Sequence, residues 1–215
     1  MRNAINLAKM SFVNWWSIKR VPIIMIIGYG AISIVNDVFL NMLFGMIVFM
    51  SIYQVMAYEE SYNIDTLISY LPVKGSEYIL SKYIFSILSI VSSAIIFSIC
   101  YYISSTQNIS SATMSMYIPI LSICTLSTSL ITSIYIPILF KVGFKKGRIV
   151  LMMIMMLGMF IPGIVSEEYA LFFSKIAGII NSSSEVMLLT VVVSILLLAA
   201  SYLVSCKLYK NKEIL

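Results

Sequence analysis

The sequence predicts an all-α, polytopic membrane protein with six transmembrane helices, and three observations predict it. Hydrophobic residues fill 60% of the 215 positions, charged residues only 11%, and the mean hydropathy is +1.00. A soluble domain of this size has no core large enough to hide that much apolar surface. Charge-free runs recur along the chain, and Tyr83 to Phe140 is too long for one crossing of roughly 20 residues but fits two. Six crossings then place 13 of the 14 lysines and arginines on one side, which is the bias that sets orientation. Each crossing has to be helical, because backbone polar groups left unpaired in lipid are too costly.

Residues 1–18 have helical periodicity without the length or hydropathy of a span. Met1, Ile5, Ala8, Phe12, Trp15 and Trp16 share one face, and Asn3, Asn6, Ser11, Asn14 and Ser17 the other. This pattern predicts a helix lying in the membrane interface, either as a lipid anchor or as a brace for a cytosolic partner. The first 20 residues show no cleavable signal pattern, so the first apolar run is read as an uncleaved start. The first span, 19–36, is short and borrows Lys19 and Arg20 as snorkelling anchors. The second span is 38–58.

The next stretch, "YEESYNIDTLISYLPVKGSEYILSKY" from Tyr58 to Tyr83, holds four of the nine acids between two greasy runs. Ile64, Leu67, Ile68 and Leu71 follow an i, i+3, i+4, i+7 stripe, with Ser61, Tyr62, Asp65 and Ser69 facing away. Pro72 stops the helix, Gly75 permits a turn, and Ser76 is the expected N-cap of the third span. Residues 59–75 thus predict a cytosolic helix and turn. The adjacent acids Glu59 and Glu60 are better suited to a protein surface than to anionic lipid. The third span, 77–103, is roughly 40 Å long and begins outside the hydrocarbon.

A polar patch at 104–113 separates it from the fourth span, 114–140. The fifth, 147–163, is methionine-rich: Met152, Met155, Met156 and Met159 are flexible and polarizable, suited to lining a path for a greasy substrate or to filling a core. Residues 164–181, with Phe172 on their apolar face, predict a short outer helix, either interfacial packing or a lid. The sixth span is 184–206, and 207–215 form a cytosolic tail. Ser89/Ser93 and Ser129/Ser133 are small-xxx-small pairs that let helices approach closely.

Several chemistries are missing their residues. There is no histidine, so the commonest metal ligand and acid–base group is absent. No phosphate-binding loop occurs, and "GFKKGR" (143–148) has the wrong spacing for one. No mid-span charge marks an ion-coupling site. We expect no catalytic residue, no metal and no cofactor in this chain. The net charge of +5 follows from the one-sided distribution of basic residues and calls for no nucleic acid.

The layout of interface helix, six spans, cytosolic helix after the second and outer helix after the fifth resembles the permease subunits of type-2 ABC exporters. The stretch "YEESYNIDTLISYLPVKGSEYILSKYI" is similar to the acid-pair, aspartate and leucine-proline-valine pattern of that family. It is especially similar to the small permeases of the phenol-soluble modulin exporters of low-GC Gram-positive bacteria. The resemblance implies a separate cytosolic ATPase that carries ATP and Mg, two copies of it beside two permeases, which form a homodimer in the bacterial cell membrane with both termini cytoplasmic. It implies that Glu59 to Pro72 is the coupling helix, with Ile64, Ile68 and Leu71 filling a groove on the ATPase and Glu59, Glu60 and Asp65 at the rim. It also implies amphipathic, membrane-active peptides as substrates. The alternatives are a non-transporting immunity protein that shields the membrane from a bacteriocin, and the substrate-capture subunit of an energy-coupling importer. A membrane protease would need mid-membrane glutamates and histidines that the chain lacks.

Overall fold

The computed structural model describes residues 2–17, 20–62, 64, 68, 70, 73–107, 117–143, 147, 149 and 184–212. Among these there are six helices and no strand: α1 (Arg2–Ser17), α2 (Arg20–Val35), α3 (Asp37–Ser61), α4 (Gly75–Thr106), α5 (Tyr117–Val142) and α6 (Ser184–Lys212). Four segments are long and apolar enough to cross a membrane: Met42–Ser61, Gly75–Thr106, Ile120–Lys141 and Leu188–Lys210. α2, at 16 residues, is shorter than these and contains the apolar segment Ile26–Val35. The span predicted at 147–163 and the outer helix predicted at 164–181 lie outside the described residues, apart from Gly147 and Ile149.

The most deeply packed of the four long segments lies in α3. Its Leu40, Phe44, Ile47, Val48 and Val55 are buried among Ile79, Phe97 and Tyr101 of α4 and Ile136 of α5. In contrast, α6 turns Leu188, Ile195, Leu196 and Leu203 outward, as a lipid-facing helix does. Two helix ends depart from expectation. The second predicted span continues as helix through Ser61, so Glu59 and Glu60 belong to the last turn of α3. The N-cap of α4 is Lys74, with no side-chain cap bond, and not Ser76. The backbone N–H groups of Glu77 and Tyr78 instead donate to the Lys74 carbonyl, at 2.9 and 3.3 Å.

The broadest helix–helix contact joins α5 to α6, and a proline explains its chemistry. Pro137 sits inside α5 and has no N–H to give the carbonyl of Ser133 four residues back. Ser201 of α6 donates its hydroxyl to that carbonyl at 2.5 Å. With its one proton committed there, Ser201 accepts from the Tyr83 hydroxyl of α4 at 2.7 Å, and Ser205 donates to Tyr83 at 2.8 Å. A relay of three hydroxyls therefore ties α4, α5 and α6 around a carbonyl that the proline freed.

Ser201→Ala should leave the Ser133 carbonyl unanswered, with the Tyr83 proton turning to Ser205, and cost about 1–3 kcal/mol. Adding Pro137→Ala restores a donor to Ser133, so the double variant should recover part of the loss in thermal unfolding of the detergent-solubilised protein. Strict additivity of the two changes would show that the relay does not exist.

Candidate functional site

The segment between α3 and α4 rests on a buried polar cluster. Glu59, in the last turn of α3, is 5% exposed and forms an ion pair with Lys82 in the second turn of α4. Ser11 of α1, fully buried, donates to the second carboxylate oxygen, Glu59 Oε1, at 2.9 Å and accepts from Lys82 Nζ at 3.3 Å. The ammonium also lies 5.0 Å from the ring centroid of Tyr78. Every member of the triangle thus meets the other two. That is the condition under which a buried charge pair is tolerable, since desolvating each ion alone is expensive.

Helix α1 covers this cluster, and its faces differ from the two expected. Ala4, Leu7, Ala8 and Ser11 are buried against α3 and α4, while Ile5, Phe12 and Trp16 are exposed on a separate apolar arc and Asn3, Asn6 and Ser17 on a third. Ser11 and Ala8, expected on solvent and lipid faces, both point into the chain. The small side chains at 4, 8 and 11 allow close approach, which lets a serine hydroxyl reach a carboxylate on another helix. At the outer edge, Asn3 donates to Glu77 of α4 at 3.1 Å. The spacing of small residues was the sequence signal for this third face. Reading the helix as two-sided concealed it.

The inter-helix segment follows the same logic of seating on its own chain. Ile68 is 5% exposed and sits in the core cluster, with Ile64 and Val73 packed against that core. Ile64 and Ile68 of the predicted apolar stripe thus rest on the chain's own helices, while Leu67 and Leu71 lie outside the described residues. The outward side carries aromatic residues instead. Tyr62 is 64% exposed and Tyr70 87% exposed, and the Tyr62 ring packs on Tyr58 with centroids 4.5 Å apart. Glu60 is half-buried. Asp65, Leu71 and Pro72, and the candidate path residues Met152, Met155, Met156, Met159 and Phe172, lie outside the described residues.

Among the described residues, no group of three or more histidine, cysteine, aspartate or glutamate side chains comes together that could hold a metal. The cluster is a fastening between helices: it binds the start of the segment to α1 and α4 through contacts among Glu59, Lys82 and Ser11.

A helical bundle with four segments long and apolar enough to cross a bilayer defines a multi-pass membrane protein. Residues 6–210 match the sequence profile of the ABC-2 family transporter proteins, and the chain belongs to that family. It is a membrane-embedded permease subunit of an ABC transporter, a part that works with an ATPase component. No curated protein and no solved structure matches it.

Lys82→Met leaves the Glu59 carboxylate buried without its counter-charge, so it should destabilise the protein by about 3–5 kcal/mol. Replacing both partners, as Glu59→Leu with Lys82→Met, should cost much less than either single change. Thermal unfolding and amide exchange of α1 would read both effects. A loss in the double variant equal to the sum of the two single losses would mean that the pair is not coupled.

Proposed function

We propose that the chain is the transmembrane subunit of an ATP-driven exporter of amphipathic, membrane-active peptides in the bacterial cell membrane. Two copies form the channel, each served by a cytosolic ATPase subunit that binds the ATP and Mg. The membership in the ABC-2 family carries the transporter reading. The peptide substrate is supported by the similarity of the 58–84 stretch to small peptide-exporter permeases and by the methionine-rich run at Met152, Met155, Met156 and Met159, which with Phe172 would offer a compliant apolar path. Thirteen of the fourteen basic residues on one side support cytoplasmic termini.

Residues 59–72 act as the coupling segment in this proposal, and the division of labour within it follows exposure. Glu59, Ile64 and Ile68 hold the segment to α1, α3 and α4, with Leu71 and Pro72 completing the helix and its stop. Tyr62 and Tyr70, flanked by Glu60 and Asp65, meet the ATPase. A solvent-exposed tyrosine offers a large rigid contact at low entropic cost, and tyrosine is enriched where interfaces concentrate their energy. A push on those rings is then delivered to the Glu59–Lys82 pair, and from there to α3, α4 and α1 together.

Two results would test this. In proteoliposomes carrying the permease and its ATPase, amphipathic cationic peptide should raise ATP hydrolysis, and failure to do so would remove the peptide claim. Tyr70→Ala should reduce ATPase co-purification and stimulated hydrolysis by at least about tenfold while leaving thermal stability unchanged. Ile68→Asp should instead lower stability. The reverse pattern, with Ile68→Asp affecting only partner binding, would turn the segment's faces around.

A further inference from the structure

The ends of α5 and α6 carry charges that neither the Glu59 cluster nor the hydroxyl relay uses. The two helices run the same way. Ser201 meets the Ser133 carbonyl, and further along the rings of Phe140 and Tyr209 stand 5.8 Å apart. Lys141 follows Phe140 and Lys210 follows Tyr209, so both lie about 12–14 Å beyond the shared Ser133–Ser201 contact, at one height. They also close the apolar segments Ile120–Lys141 and Leu188–Lys210, which is the depth at which phospholipid headgroups begin. Lys207 lies three residues before Lys210, on the same side of α6.

Lys141, Lys207 and Lys210 are all exposed, and none is paired with a carboxylate among the described residues. The sequence offers them little to pair with: no aspartate or glutamate occurs from 78 to 166 or from 186 to 212. Glu59 and Glu77, on α3 and α4, are engaged by Lys82 and Asn3. Like charges are thus gathered without a counter-ion, which is destabilising. Deeper along the same helices the exposed side chains are apolar. On α6, Leu196, Leu203, Lys207 and Lys210 share one face, and on α5 Ile134 and Lys141 do.

We propose that this end of the α5–α6 pair binds an anionic phospholipid, its phosphate among Lys141, Lys207 and Lys210 and its acyl chains along Leu203 and Leu196. The order of chemistry along the helices selects this occupant. An acidic protein surface complements the charges but not the exposed apolar face that continues beneath them. A soluble anion uses neither Leu196 nor Leu203. A neutral phospholipid fits the apolar face and leaves the positive charge uncompensated. Lysine clusters directly outside apolar helices attract anionic headgroups for this reason. The site also bears on the Glu59 cluster. Tyr78 of α4 packs on both rings, 6.0 Å from Phe140 and 6.3 Å from Tyr209, and the Lys82 ammonium lies 5.0 Å from its centroid. A lipid held here braces the corner where α4, α5 and α6 meet.

The test titrates the full chain, purified in neutral detergent, with phosphatidylglycerol or phosphatidylcholine of identical acyl chains, and counts bound lipid by native mass spectrometry. Phosphatidylglycerol should bind at least about fivefold more tightly and should raise the unfolding temperature. Lys207→Gln and Lys210→Gln should each weaken its binding about two- to fivefold, and the triple variant with Lys141→Gln should bind both lipids alike. Thermal unfolding in lipid-free detergent checks that these surface variants stay folded. Lys9→Gln, at an exposed lysine of α1, should change nothing. Equal weakening by Lys9→Gln would mean diffuse attraction to the net charge, and no weakening in the triple variant would mean that the lysines serve only the helix ends. Either result overturns the proposal. Displacement of the lipid by glycerol phosphate alone would reassign the site to a soluble anion. Lost ATPase co-purification with lipid binding intact would reassign it to a protein contact, and both also overturn it. Lipid binding is read without peptide or ATP hydrolysis, so its failure and the failure of the export reading are distinguishable.

Discussion

The ion pair between Glu59 and Lys82, with Ser11 closing the triangle, is the constraint on which the rest of the arrangement hangs. Neither charge could be buried alone. Together, with a hydroxyl that donates to one and accepts from the other, they fix three helices at one point. α3 must end where Glu59 can reach Lys82, α4 must begin beyond the hydrocarbon so that Lys82 lies in its second turn, and α1 must lie close enough for a serine to bridge them. The segment after Ser61 inherits that geometry. Its Ile64 and Ile68 fall onto the core, and its Tyr62 and Tyr70 are left outside.

A second fastening stands on the other flank. Pro137 withholds a donor from Ser133, and Ser201, Tyr83 and Ser205 use the vacancy to tie α5 and α6 to α4. The two fastenings share α4: Lys82 and Tyr83 are neighbours in sequence and point to different helices, one toward α1 and α3, the other toward α6. A displacement of the segment at 62–74 would meet α4 near both. In the proposed coupling role, this would give motion of an ATPase partner a path into both fastenings.

Much of this was legible in the sequence where periodicity and hydropathy speak. The all-helical class follows from the long charge-free runs, and the long apolar helices at 42–61, 75–106, 120–141 and 188–210 sit where four of those runs lie. The inward seat of Ile68 was not legible, because an i, i+3, i+4, i+7 stripe says that a helix has an apolar side and not whose surface it meets. Glu59 and Lys82 are separated by 23 positions and Ser11 lies 48 before Glu59, so their meeting is a tertiary event that no local pattern encodes. Ser11 looked like part of a polar face because serine usually is. Its burial follows from Ala4 and Ala8 on the same arc. The Ser133 carbonyl could have been flagged from Pro137 alone, since a proline in a helix always leaves a carbonyl four residues back without its usual donor.

The most direct measurement is site-specific photocrosslinking in the assembled transporter, with benzoylphenylalanine placed in turn at positions 62, 68 and 70. Adducts with the ATPase are expected from positions 62 and 70, and adducts within the permease itself from position 68. An ATPase adduct from position 68, with none from 62 or 70, would contradict it.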